Sequence, residues 1–254
     1  SGVNRISFGL QSCNNKLLKE IGRIHTFEEF LENYNLARDI GFENINVDLM
    51  IGLPNQTIGD IKESIDKITS LNPMPQHISV YSLIVEPNTL MEKWVNEEKF
   101  DLPLDEEPMN LYQVIYSLQE NKLIPVIAHP ERYEFIQKEP EFVYELIEKG
   151  CYMQANYGSI LGQYGRKSQL IVKKLLENHS IHFLGSDVHR QGTIYPKMSE
   201  ALLEIENIIG KDKLKELTTI NPKLALGNKR IDIDTPYESK LSFKEKIKMY
   251  IKSY

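Results

Sequence analysis

Six short runs rich in β-branched and aromatic residues, each closed by a turn and followed by a helical or polar segment, limit this chain to very few folds. They span residues 5–11, 45–51, 78–85, 124–128, 152–156 and 182–186. Strand and helix in strict alternation argue for parallel βα units. The spacing predicts a helix from Thr26, where Thr26 and Glu29 form a capping box and Phe27, Phe30, Leu31, Tyr34 and Ala37 repeat at helical spacing up to Gly41. A second helix starts after Thr57 and carries Ile58, Ile61, Ile65 and Ile68 on one side, and a third spans 111–120 with Leu111, Val114, Ile115 and Leu118 inward. Further helices are expected between Pro140 and Gly150, over 168–178, and from Pro196 to a stop at Gly210. About six units, three from each half, can close on one another, so the expected class is α/β, a composite TIM-barrel-like sheet of parallel βα units. An acidic, proline-containing stretch at 101–108 is the expected seam, dividing the chain into 1–108, 109–230 and a tail over 231–254.

Two of these strands run directly into metal-competent side chains. The run 182–186 ends in Asp187-Val188-His189, and a repeat of two sends Asp187 and His189 to one side. The run 124–128 ends in His129-Pro130-Glu131-Arg132. Carboxyl ends of parallel strands are where α/β sheets keep their chemistry. His129, Asp187 and His189 form a set of two imidazoles and one carboxylate, which suits zinc, manganese or iron. Taken one at a time, His129 also reads as a histidine packed at a strand end and Asp187 as a turn-capping carboxylate. His25, His77, His179 and His182 lack a ligand-spaced partner and read as ordinary surface or core-edge residues.

With 41% hydrophobic residues in 254, the chain can bury one large core or two small ones. Thirty basic residues against 36 acidic ones, with no long basic run in the folded part, disfavour nucleic acid as a partner. Cys13 and Cys151 show no paired spacing, which fits a reducing compartment, and cytoplasm is the expected location. No transmembrane segment or leader is expected, and the opening Ser1-Gly2-Val3 reads as cut from something longer. In the tail, Leu241, Phe243, Ile247, Tyr250 and Ile251 alternate with lysines as a basic amphipathic helix, suited to packing on its own domain or to a partner or membrane surface.

The blocks Gly2 to Ser12, Gly22 to Thr26, Asn46 to Thr57, and Ser79 to Leu83 with Glu86 to Thr89 closely resemble the HemW-type radical SAM proteins, relatives of the oxygen-independent coproporphyrinogen oxidase. The resemblance covers about the first 110 residues, with four blocks in the family's order. It implies that Gln11, Arg23 and Asp48 face S-adenosylmethionine, while burial at a core edge or survival as relics is the plainer reading of the same residues. The family's Cys-x3-Cys-x2-Cys loop has no counterpart here, and Cys13 and Cys151 cannot replace closely placed thiolates. No 4Fe-4S cluster, and no reductive cleavage of the cofactor, is expected.

A second resemblance starts near Leu111 and runs to Asn228. Pro125 to Tyr133, Gln154 to Ser159 with Gly162 to Gly165, Phe183 to His189, and Asn221-Pro222 with Gly227-Asn228 are similar to the C-terminal half of the CpsB/YwqE-type tyrosine phosphatases. These belong to the PHP class of metal-dependent phosphoesterases. The resemblance implies that His129, Asp187 and His189 are metal ligands, with His129 and Arg132 the catalytic pair and Arg132 placed to grip phosphoryl oxygens. No His-x-His stands near an amino-terminal strand and the family's bridging glutamate has no match, so one metal and impaired turnover are expected.

The leading expectation is therefore a metal-dependent phosphoesterase acting on a phosphotyrosine protein or a small phosphomonoester. Two alternatives stand beside it: a HemW-like piece holding S-adenosylmethionine or haem without cluster chemistry, and an inactive chimera. A closed barrel would bring Gln11 and Asp48 to the same mouth as His129, Asp187 and His189.

Overall fold

The computed structural model describes residues 2–83, 89–97, 107–188 and 194–233. Most of the expected seam, the end of the third strand, His189 and most of the basic tail lie outside the described residues. The chain divides into two compact units, Ser1–Leu123 and Ile124–Tyr254.

The first unit runs β1 (Arg5–Gln11), α1 (Asn15–Glu20), α2 (Phe27–Asp39), β2 (Asn44–Ile51), α3 (Ile58–Thr69), β3 (His77–Ser82), α4 (Leu90–Asn96) and α5 (Glu107–Glu120). Its strands form a parallel sheet in the order β1-β2-β3. Helix starts fall where hydrogen-bonding side chains satisfy the first free N–H groups. Thr26 Oγ1 accepts the Glu29 N–H at 3.2 Å while Glu29 accepts the Thr26 N–H at 2.7 Å, and Thr57 and Asp60 repeat the arrangement. Helix α1 forms between β1 and α2, where Asn14 accepts the Lys16 N–H and caps it.

Helices pack their apolar sides on one face of this sheet. Ile45, Val47, Leu49 and Ile51 of β2 are 0–6% exposed and join Phe30, Tyr34, Ile61, Ile65 and Ile68 in one core. Each such side chain is worth roughly 1.5–3 kcal/mol of burial. Ile58 is 46% exposed, so the inward side of α3 starts at Ile61 rather than at Ile58. Val114 of α5 belongs to the same core, and the helix end is tied to α3 by Asn121, which donates to Asp66 Oδ1 and accepts from Thr69 Oγ1, both at 2.8 Å. The opposite face is polar. Asp48 accepts from Ser7 Oγ at 2.8 Å and from Asn46 Nδ2 at 2.7 Å, and Ser79 Oγ donates to Asn46 Oδ1 at 3.1 Å.

The second unit runs β4 (Val126–Ala128), a 3₁₀ turn (Pro130–Arg132), α6 (Glu134–Lys138), α7 (Phe142–Glu148), β5 (Tyr152–Asn156), α8 (Tyr157–Ile160), α9 (Gly165–Glu177), β6 (Phe183–Gly185), a second 3₁₀ turn (Tyr195–Lys197), α10 (Met198–Lys215) and α11 (Asn221–Leu226). Its parallel sheet has the order β4-β5-β6. The central strand is buried on both faces, with Met153 and Ala155 at 0% exposure and Asn156 at 1%, as expected of a parallel sheet. Helix α10 does not stop at Gly210 but kinks there (φ 79°, ψ 163°) and resumes to Lys215. The ladders thus make two three-stranded parallel sheets; strand pairing among the described residues does not form the single composite barrel expected from six units. The alternation was visible in sequence, but which strands share hydrogen bonds is not encoded in it.

A strand-end cluster as candidate active site

The second unit brings His129, Arg132 and Asp187 together at the carboxyl ends of its strands. Register places Ala128 beside Gln154, and Asn156 beside Gly185, so the residues that follow sit at one edge of the sheet. His129 leaves β4 with its N–H on Gln154 O at 2.7 Å and then turns into the left-handed region (φ 41°, ψ 54°). Asp187 does the same two residues beyond β6 (φ 46°). Gln11, at the end of β1 in the first unit, also has positive φ (71°). Such backbone costs energy for residues other than glycine and concentrates at functional sites.

Asp187 is the hub. Its Oδ2 accepts from Arg132 Nη1 at 3.3 Å and from Asn156 Nδ2 at 3.1 Å. Arg132 is exposed on its 3₁₀ turn, with its guanidinium carbon 4.5 Å from the centre of the Tyr164 ring. His129 stacks on Tyr133, ring centres 5.9 Å apart. Burial holds the His129 imidazole below its ordinary pKa, and Arg132 pushes the same way against the pull of Asp187. The neutral ring that results is the form that can donate a lone pair.

Beneath these lies a carboxylate that the sequence reading passed over. Glu131 is 0% exposed, and its Oε1 accepts the Asn156 N–H at 3.2 Å and the Ser159 hydroxyl. Burial raises its pKa, with the two hydrogen bonds opposing. Asn156 was also missed, although it closes β5 as His129 follows β4, and the strand-end rule applied to all three strands would have found it.

A divalent ion fits this donor set in part. In favour, His129 Nδ1 and Asn156 Oδ1 are buried with no hydrogen-bond partner among the described residues, and the Asp187 carboxylate is adjacent. Against it, no group of three His, Cys, Asp or Glu side chains converges among the described residues. The third expected ligand, His189, lies outside them.

In the first unit, the expected cofactor-facing residues do not form a comparable cluster. Both Asp48 oxygens are engaged by Ser7 and Asn46, Gln11 is 8% exposed, and Arg23 is exposed with its N–H on Leu18 O. Cys13 and Cys151 are both buried and free. His182, read as ordinary, is a buried structural residue whose Nδ1 accepts the Met153 N–H at 3.0 Å. No helix among the described residues is long and apolar enough to cross a membrane.

Comparison with known proteins divides the chain in the same order. Residues 101–227, half of the 254, match the family model for capsular polysaccharide synthesis, CpsB/CapC, and residues 1–68 match the radical SAM superfamily. The heme chaperone HemW of Bacillus subtilis (strain 168) is 42% identical over 120 residues, 47% of this chain and 31% of the relative. The tyrosine-protein phosphatase YwqE of the same organism is 36% identical over 140 residues, 54% of this chain and 55% of the relative. A crystal structure from work on YwqE from Bacillus subtilis and CpsB from Streptococcus pneumoniae, described as unique metal-dependent tyrosine phosphatases, superposes with a TM-score of 0.50 at 25% identity, over 93% of this chain and 100% of that one. The chain spans about a third of the length of the HemW relative and about half of YwqE. A radical SAM segment is followed here by one that holds His129, Arg132 and Asp187, and through that second segment the chain belongs to the CpsB/CapC family.

Proposed function

We propose that the second unit is a metal-dependent phosphomonoesterase acting on phosphotyrosine or a similar aryl phosphate. One observation carries this reading: a half-buried imidazole whose Nδ1 is buried and unpartnered among the described residues, a carboxylate and an exposed guanidinium meet at the ends of parallel strands. In this reading His129 and Asp187, with His189, hold a manganese, zinc or iron ion. The chemistry that a bound divalent ion supplies to a phosphomonoester is Lewis-acid polarisation and a nucleophile at neutral pH. Arg132 offers in-plane N–H groups to the phosphoryl oxygens and offsets negative charge that builds toward the transition state. Asp187 holds Arg132 by one N–H, and Asn156 holds Asp187 in turn. With only these donors, turnover is expected to be weak.

Metal content after dialysis against manganese or zinc, together with hydrolysis of p-nitrophenyl phosphate, tests the reading. His129→Ala is expected to lose both the ion and the turnover. A wild type that takes up no stoichiometric ion, or a variant that keeps both properties, overturns it and leaves an inactive chimera.

A second reading attaches to the first unit, whose polar sheet face and strained Gln11 favour a polar ligand. Binding of S-adenosylmethionine or haem without cluster chemistry predicts calorimetric uptake that Asp48→Ala weakens. Equal heats for wild type and variant, or none, count against it.

A further inference from the structure

We propose that Tyr164 is a positioning residue for Arg132, a platform that fixes the plane of the guanidinium so that its free N–H groups meet a phosphate monoester dianion. This rests on the phosphate-gripping role proposed for Arg132. The Arg132 side chain is 37% exposed, and Asp187 is its one hydrogen-bonded side-chain partner among the described residues. At 3.3 Å that bond is longer than a well-formed charge-assisted one, at about 2.8 Å. A single long bond leaves the plane free to swivel. The second contact removes that freedom: the guanidinium carbon lies 4.5 Å from the Tyr164 ring centre, in the range where a cation is drawn to an aromatic face. A guanidinium lying flat on a ring, the arrangement such a contact favours, directs its donors outward in its own plane, the geometry that matches two phosphoryl oxygens.

The platform and the arginine are located from the same point. Tyr164 ends the loop that starts at α8, and that loop is anchored by the Ser159 hydroxyl on Glu131 Oε1. Glu131 is fully buried and immediately precedes Arg132. Gln163 N–H closes the loop onto Gly158 O at 3.0 Å, and Gly162 N–H onto Ser159 O at 3.0 Å. Gly158 leaves the space this requires. A Cβ there would sit 2.3 Å from Gln163 Oε1 and 3.0 Å from Tyr164 Cε2, so any side chain forces Gln163 aside and presses on the ring.

The test measures inorganic phosphate binding by calorimetry on the full chain, once in EDTA and once with manganese. Tyr164→Leu removes the ring and keeps bulk; its affinity is expected to fall on the order of 3- to 10-fold, the size of one partly exposed cation–π contact. Tyr164→Phe restores the ring and is expected to recover most of that loss. In an Arg132→Ala background, Tyr164→Leu is expected to cost nothing further. Wild-type affinity in Tyr164→Leu, failure of Tyr164→Phe to recover it, or an undiminished effect in the Arg132→Ala background overturns the proposal. Arg132→Ala binding phosphate as wild type, or a wild type that binds none in either buffer, overturns it along with the role given to Arg132. A loss seen in Tyr164→Leu while the protein binds no metal refutes only the metal reading. Should Tyr164→Leu unfold, Gly158→Ala displaces the ring without removing it, and unchanged phosphate affinity in that variant overturns the proposal equally.

Discussion

Replacing Glu131 separates its role as an acceptor from its role as a charge. In Glu131→Ala, two buried donors lose their partner: the Asn156 N–H, on a residue 1% exposed, and the Ser159 hydroxyl, on one that is 0% exposed. A buried donor left unpaired costs about 1–3 kcal/mol. Two such losses, offset by relief of a carboxyl that burial disfavours, give a destabilisation on the order of 2–4 kcal/mol. At roughly 2–4 °C per kcal/mol for a chain of this size, the melting transition should fall by about 5–15 °C. Glu131→Gln keeps the Oε1 acceptor and removes the charge but sets an amide NH2 where Oε2 is buried without a partner among the described residues, so its cost should be about half that of the alanine variant, roughly 1–2 kcal/mol. Thermal and urea unfolding followed by circular dichroism measure both, and Ser159→Ala completes the cycle. Combined with Glu131→Ala, it should fall short of additivity by about 0.5–3 kcal/mol. If the alanine and glutamine variants melt together, or the alanine variant lies within about 0.5 kcal/mol of wild type, Glu131 is not the tie between the two loops.

Three other outcomes follow from the same structure. Burial pushes the thiols of Cys13 and Cys151 up to about 12, so at pH 8 only about one in 10,000 is thiolate; iodoacetamide should label neither until urea unfolds the chain, and fast native labelling would contradict their burial. Val114→Ala, from a position 4% exposed, should destabilise the first unit by roughly 2–3 kcal/mol and lower hydrogen-exchange protection in β2, whereas protection lost only in β5 would misplace α5. Thr57→Ala breaks a two-way cap and should cost about 1 kcal/mol in urea titration; no change would mean that the start of α3 is held by packing alone.

The first unit was largely legible because its signals are local. Thr26 with Glu29 and Thr57 with Asp60 mark helix starts within four residues, and the alternation Ile45, Val47, Leu49, Ile51 marks a strand with one buried face. The second face of that strand was not legible. Asp48 reads as a cofactor-facing group, and the sequence does not show that Ser7, 41 residues away, donates to it, or that Ser79 donates to Asn46, 33 residues away. Glu131 went unread for a similar reason: a charged residue in a turn is usually exposed, and what buries this one lies 25 and 28 residues away in β5 and α8. Gly210 misled in the other direction. A glycine punctuates a helix, but apolar residues beyond it, Leu214 and Leu217, are buried, and their burial carries the helical path past the break.

Helix α5 lies within the stretch matched by the CpsB/CapC model, yet Val114 commits it to the core of the first unit and Asn121 ties its end to α3. The start of that family match, at residue 101, and the border of the packed unit, after Leu123, therefore fall in different places. A graft cut at residue 101 would strip the first unit of this wall, and a workable splice has to follow the packing instead.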